Sequence, residues 1–278
     1  MVVAYLPAKG HSSRLRGKNM KMFCGKQLIA WSLIQTKYSG VDKTVVSTDD
    51  WSIANVCEQY GAEVYWRQHE WESVDEASGA VPTYFMVKHI LEKYPQMDVG
   101  VSMFTTSPLR LPWDIDNCID LCMETRRPSS IYLPRYETFI YYLKDERVMP
   151  AIMNKNFRYA DLMAGLAAVP REILEQQTAP ENRPNPDIGR PREMDVGSSV
   201  DSGKAIGDVA EILDWFESGK HSETQVWKER YIRGEHWQAV EIDYLEDFEL
   251  AEYYMRKYIL KDGEDVYERY WMAKYNRT

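Results

Sequence analysis

The chain has 278 residues, of which 44% are hydrophobic and 28% charged. That is enough apolar material for one large domain with a buried core, and it excludes disorder of the whole chain. A formal net charge of -9 disfavours broad, non-specific binding to nucleic acid or to an anionic membrane, so neither is an expected partner.

Residues 1–5 are apolar with no basic residue before them, which reads as a buried first strand rather than a signal peptide. The strand is expected over 2–7, followed by a polar loop over 9–19 and a helix over 27–38 with Ile29, Ala30, Leu33 and Ile34 on its inner face. A second strand over 43–47 ends at Thr48-Asp49-Asp50, where one of the two carboxylates serves as N-cap for a helix over 51–60 that Gly61 stops. A third strand over 63–66, a helix over 77–94, a strand over 99–104, a helix over 113–125 and a strand over 130–133 follow.

This alternation predicts an α/β fold, a Rossmann-like, mostly parallel sheet with helices on both faces. Ligands on such sheets bind beyond the C-terminal strand ends, where the loops after Pro7, Ser47 and Phe104 would lie. No stretch approaches the length of a membrane span. Cys24, Cys57, Cys118 and Cys122 form no CxxC pair and no cluster with histidine, so a zinc site is not expected. Such usage fits reduced thiols in a cytoplasmic protein.

The pattern weakens over 145–235, which reads as an irregular insertion, an arm or small subdomain within one domain of residues 1–278. Pro180, Pro184, Pro186 and Pro191 mark a long loop or an arm over 176–202, and a helix is expected over 206–216. Order returns with a strand over 238–242 and a helix over 245–260. Asp243 and Glu246 have the D-x-x-E spacing of a capping box for that helix. The aromatic tail over 253–275 reads as packing, and His69, His89, His221 and His236 show no metal spacing.

The loop Pro7-Ala8-Lys9-Gly10-His11-Ser12-Ser13-Arg14-Leu15-Arg16-Gly17-Lys18-Asn19 carries four cationic side chains between Lys9 and Lys18 in an acidic chain. Glycines admit close approach of backbone N–H groups to an anion, and a triphosphate needs distributed donors plus positive charge. The loop has neither the GxxxxGK[ST] nor the GxGxxG pattern. Spacing alone leaves a solvated basic turn and a phosphate site equally open.

This loop resembles the P-A-R-G-G-S-K-R-L-P-G-K-N signature of the cytidylyltransferases that make CMP-activated sugar acids. These are the CMP-acylneuraminate synthetases with their legionaminate and pseudaminate relatives and, more distantly, the CMP-KDO synthetases. Val45-Val46-Ser47-Thr48-Asp49-Asp50 is similar to the family's V-S-T-D, and Tyr60-Gly61-Ala62 to its Y-G-A. Arg67, Glu70, Asp75 and Ala77-Ser78 resemble R-P-x-E-L and D-x-A-S, and Thr106-Ser107-Pro108-Leu109-Arg110 resembles T-S-P-L-R. Glu241-Ile242-Asp243 with Glu246-Asp247 resembles the closing D-I-D-x-x-E-D. The likeness covers residues 2 to about 125 and resumes over 238–254.

The resemblance implies transfer of CMP from CTP to a small acidic acceptor such as a nonulosonate, with Mg²⁺ as cofactor and a homodimer as the assembly. It makes Lys9, Arg14, Lys18 and Asp243 the candidate catalytic residues. Ala8, Gly10, Ser12, Ser13, Asn19, Arg67 and Ser78 become the candidate nucleotide-binding residues, and Asp243 with Glu241 the candidate Mg²⁺ ligands. The insertion over 145–235 would supply a dimerisation arm and the acceptor pocket. Three departures stand out. Ser13 replaces a lysine, His11 replaces a glycine, and Phe104-Thr105 replaces a Q-P whose glutamine helps hold the acidic sugar. They keep open a different small acid or phosphonate as acceptor, another triphosphate base, or a non-catalytic nucleotide-binding relative. Arg110 is left between a surface arginine and an anion ligand.

Overall fold

The computed structural model describes residues 1–67, 80–134, 140–144, 147–152, 160–180, 231–263 and 265–275. Strand β1 (Val2–Pro7) pairs in parallel with β4 (Lys43–Thr48) on one side and β6 (Val99–Met103) on the other. Its side chains are buried on both faces, as the uninterrupted apolar run requires. Val3 and Tyr5 face one core, with helix α3 (Ala80–Lys93) and helix α5 (Arg171–Gln177), while Ala4 and Leu6 face the other. That second core is closed by helices α1 (Leu28–Lys37), α2 (Trp51–Gln59) and α4 (Pro112–Thr125).

Strand β5 (Glu63–Trp66) extends the sheet beyond β4, giving the seven-strand order β11-β7-β10-β6-β1-β4-β5, with β7 at Ser129–Pro134, β10 at Ala160–Pro170 and β11 at Tyr231–Arg233. β10 runs antiparallel to both β6 and β7, and β11 runs parallel to β7. The mostly parallel sheet with helices on both faces is therefore present. Two small hairpins flank it: β2 (Met22–Phe23) with β3 (Lys26–Gln27), and β8 (Ile140–Lys144) with β9 (Arg147–Ile152).

The stretch read as an irregular insertion departs from expectation within its described residues. β10 lies inside the main sheet, between β6 and β7, and α5 packs beneath it on Gly100. The expected arm over 181–202 and the helix over 206–216 fall outside the described residues.

Helix α1 departs from its one-faced reading too. Ile29, Ala30 and Leu33 join the sheet core, while Leu28 and Trp31 enter a separate cluster with Phe23, Trp237, Phe248 and Tyr267. Helices α6 (Leu245–Tyr254) and α7 (Val266–Tyr275) form this outer layer, so the aromatic tail is packing in part. Trp31 and Tyr267 meet edge-on at 6.4 Å, and Trp31 donates its indole N–H to the Phe23 carbonyl. Tyr270, Lys274 and Tyr275 of α7 all donate to the buried Asp116 carboxylate on α4. All four cysteines are buried and none is in a disulfide, with Cys118 and Cys122 on the inner face of α4. No helix of the described residues is long and apolar enough to cross a membrane.

Candidate active site

The basic loop leaves β1 at the C-terminal edge of the sheet and is held there from three sides. The Ala8 N–H donates to the Ser47 carbonyl at the end of β4. The Gly10 N–H donates to Asp49 Oδ1 at 2.7 Å. A Cβ on Gly10 would stand 2.7 Å from the Asp50 Cβ, so only glycine fits at this approach. Asp50 itself is the N-cap of α2, accepting from the Ser52 and Ile53 N–H groups, as its position before the helix predicts.

The third brace lies underneath. Asn19 Nδ2 donates to the Lys9 carbonyl across the loop, and the buried Thr105 hydroxyl donates to Asn19 Oδ1 at 2.6 Å. The Phe104-Thr105 departure therefore carries a structural function, since its threonine fixes the asparagine that fixes the loop. Thr105→Val should lower stability by about 1 kcal/mol, the usual net value of one buried hydrogen bond. It should also weaken inorganic tripolyphosphate binding several-fold, as read by urea denaturation and isothermal titration calorimetry.

The charged end of the loop meets the C-terminal part of the chain. Lys18 is buried, and its ammonium donates to the Ile242 carbonyl at 2.6 Å and to Asp243 Oδ1 at 3.2 Å. Burial pulls the Lys18 pKa below the usual lysine value, and the Asp243 carboxylate offsets part of that loss. Arg14 reaches the other oxygen, Asp243 Oδ2, at 2.7 Å from a side chain that is 55% exposed. That exposed pair contributes no more than about 1 kcal/mol. The Arg14 guanidinium is thus held in place at little cost to its withdrawal toward a more strongly charged ligand. Glu241 stands beside this group and accepts from the Thr106 hydroxyl at 3.1 Å, while the Ile242 N–H donates to the Thr106 carbonyl.

Asp243 is not the helix cap. Helix α6 starts one residue later than the D-x-x-E spacing suggests, and Asp247 is the capping carboxylate, accepting from the Asp243 and Tyr244 N–H groups. The Asp243 side chain is left facing the basic loop. The region read as a strand over 238–242 is instead a 3-10 turn, His236–Ala239, running into an extended link that delivers Glu241 and Asp243 to the strand ends.

Arg67 lies at the neighbouring edge, donating its N–H to the Thr48 carbonyl and its Nε–H to Ser47 Oγ at 3.3 Å. Ser12 accepts weakly from the Leu15 N–H at 3.5 Å, and Ser13 is exposed. The structure thus brings Ala8, Lys9, Gly10, Arg14, Lys18, Asn19, Glu241 and Asp243 into one braced constellation with Arg67 at its rim. Ser78 lies outside the described residues.

Arg110 is neither a surface residue nor an anion ligand. Its side chain is fully buried, donating from Nη1 to the Phe104 and Gly165 carbonyls and from Nη2 to Ser32 Oγ, each at 2.7 Å. Gly165 lies where β10 shifts register against β7, and a Cβ there would be 2.2 Å from Ser107 Oγ. Arg110 thereby welds β10 to the Phe104–Ser107 turn that carries Thr105 and Thr106. Asp49, Thr105 and Thr106 are site residues that sequence reading missed. The adjacency of T-D and F-T-T to strand ends was the available signal.

Both candidate Mg²⁺ ligands are hard carboxylates separated by one residue, the donor type that Mg²⁺ prefers. Among the described residues no group of three or more His, Cys, Asp or Glu side chains forms a metal cage. The pair fits an ion that takes one or two protein carboxylates and completes its shell with phosphate oxygens and water.

Residues 3–124 match the family model described as Cytidylyltransferase. Over 125 residues the chain is 36% identical to the CMP-N,N'-diacetyllegionaminic acid synthase of Legionella pneumophila, covering 43% of this chain and 52% of that protein. It is 31% identical over 110 residues to the N-acylneuraminate cytidylyltransferase of Escherichia coli, covering 39% of this chain and 25% of that protein. The chain thus spans about half the length, or less, of the relatives it matches. In fold it is similar to a CMP:2-keto-3-deoxy-manno-octonic acid synthetase solved with CTP, with a TM-score of 0.56 and 16% identity over 92% of this chain and 98% of that one. It is also similar to a 4-diphosphocytidyl-2C-methyl-D-erythritol synthase, with a TM-score of 0.58 and 13% identity over 91% of this chain and 96% of that one.

Proposed function

We propose that this chain is a cytidylyltransferase that transfers CMP from CTP to an acidic sugar of the nonulosonate class and releases pyrophosphate. The observation that carries the reading is the convergence of Arg14 and Lys18 on Asp243 at the strand ends. The loop supplying the two cations lies within the segment that matches the cytidylyltransferase model.

In this reading the loop receives the triphosphate. Lys18, held by the Ile242 carbonyl, presents a fixed positive charge, and Arg14 swings from Asp243 to phosphoryl oxygen. Both neutralise the charge that builds as pyrophosphate departs from the α-phosphorus under attack by the acceptor hydroxyl. Asp243, released from Arg14, and Glu241 would hold Mg²⁺. When bound, the ion would screen the phosphates and make the acceptor hydroxyl easier to deprotonate. The brace from Thr105 through Asn19 to the Lys9 carbonyl keeps the loop in register, so little ordering cost remains when the nucleotide arrives.

The family likeness also supports a homodimer, and four buried cysteines without a disulfide support a reducing, cytoplasmic setting. The deciding experiment is pyrophosphate release with CTP and Mg²⁺ against neuraminic, legionaminic, pseudaminic and KDO-type acids and small phosphonates. Release with a nine-carbon sugar acid is the expected result. Release only with a phosphonate or shorter acid would move the acceptor class, which the threonine in place of the family's glutamine-proline pair would then explain. Failure to bind CTP would overturn the reading.

A further inference from the structure

Trp51 is 73% exposed, the highest figure among the exposed large apolar side chains of the described residues. Its indole does not turn into the core below α2, where Ile53, Ala54, Val56 and Cys57 pack. It leans on Trp66, with ring centroids 4.3 Å apart and planes tilted by 50°. The pair stands at the C-terminal ends of β4 and β5, since Trp51 follows the cap Asp50 and Trp66 precedes Arg67.

Each flank of this pair is tied to the first part of the basic loop. Asp49 holds the Gly10 N–H, and Asp50 touches the space a Gly10 side chain would fill. Ser47 accepts from Ala8 through its carbonyl and from Arg67 through its hydroxyl. The loop therefore has two ends of different character. Its Arg14–Lys18 end faces Asp243, whereas its Ala8–Gly10 end is tied to Ser47, Asp49 and Asp50, the residues that lead into Trp51. A nucleoside triphosphate has the same polarity, with charge at the β- and γ-phosphates and a flat π-system at the far end.

We propose that Trp51, backed by Trp66, is a stacking platform for the base of the nucleotide whose phosphates the loop takes. This inference rests on the reading of the site as a triphosphate site. Stacking on an aromatic ring accepts every base, because every base has a π-face, so the platform adds affinity without choosing the base. Base selection is then left to polar groups at the same rim, of which Arg67 is one.

The test titrates wild type, Trp51→Ala and Trp51→Phe with CTP, ATP and inorganic tripolyphosphate, following tryptophan emission and calorimetric Kd. CTP is expected to quench wild-type emission saturably. Trp51→Ala should raise the Kd for CTP and ATP by about ten-fold each, leaving their ratio unchanged. Trp51→Phe should keep most of the affinity, and tripolyphosphate should bind all three proteins equally. Equal CTP affinity in wild type and Trp51→Ala would overturn the platform while leaving the triphosphate site standing. An equal loss of tripolyphosphate affinity in Trp51→Ala would overturn it as well, by tracing the effect to the loop. Absence of both CTP and tripolyphosphate binding in the wild type would overturn the parent reading together with this one.

Discussion

Asp243→Asn should reduce kcat for Mg²⁺-dependent pyrophosphate release by about 10²–10³-fold, the several kcal/mol of charge stabilisation that a metal ion supplies. The fold should be undisturbed. The side chain is 29% exposed, its backbone N–H keeps its bond to Asp247, and Lys18 keeps the Ile242 carbonyl. Asparagine is nearly isosteric and still accepts a hydrogen bond from Arg14. What changes is one negative charge beside two cations meant for phosphate. In Mg²⁺-free buffer with EDTA, Asp243→Asn should therefore bind CTP a few-fold more tightly than wild type, as measured by calorimetry. A fall in kcat together with a fall in Kd separates a metal ligand from a merely structural carboxylate, whose loss would weaken both. Unchanged activity would sink the metal assignment.

Arg110→Ala should cost about 3–5 kcal/mol of stability, the largest effect expected outside the sheet core. The substitution leaves a cavity and takes away the donor shared by two carbonyls and a hydroxyl. Burial pushes the guanidinium pKa down to about 9, so the group is still charged at neutral pH. Its Nε–H has no hydrogen-bond partner among the described residues. Arg110→Met, which fills most of the volume and removes the buried charge, should therefore cost about half as much. Urea denaturation at pH 7 checks both, and a loss under about 1 kcal/mol for the alanine variant would show that Arg110 is not the weld described. Because Thr105 and Thr106 lie on the turn that Arg110 holds, the methionine variant should also loosen tripolyphosphate binding.

The parts legible in the sequence were those governed by local pattern. β1 falls where its apolar run places it, because a central parallel strand is buried on both faces and leaves an unbroken signal. Asp50 was legible as a cap because side-chain capping is a local bond. β10 was not. Its sequence, ADLMAGLAAVP, is rich in alanine and carries Gly165, poor strand formers that the sheet accepts because β6 and β7 close on both sides. The end of the Leu245–Leu260 region was read as one helix, yet it passes at Met255 into a π turn and then a 3-10 turn, which apolar spacing does not distinguish. Most of the site was nominated by resemblance. Its bracing was not, because the bonds from Thr105 to Asn19 and from Asp49 to Gly10 join residues 86 and 39 positions apart.

The longest of these spans has a consequence in time. Lys18 and Arg14 find Asp243 across 225 and 229 positions, so the charged end of the site closes only after residue 243 has been made. Contacts of such separation carry a large loop-closure cost and form late. During synthesis, strands β1, β4, β5 and β6 can pair as the matching segment emerges, with its basic loop still lacking the acidic counterpart. A nascent chain stalled before residue 243 should therefore hold an unneutralised cationic loop, attractive to polyanions that the finished protein repels. Completion of the last strand-end link would switch that stickiness off and make the fold ready for its nucleotide in one step.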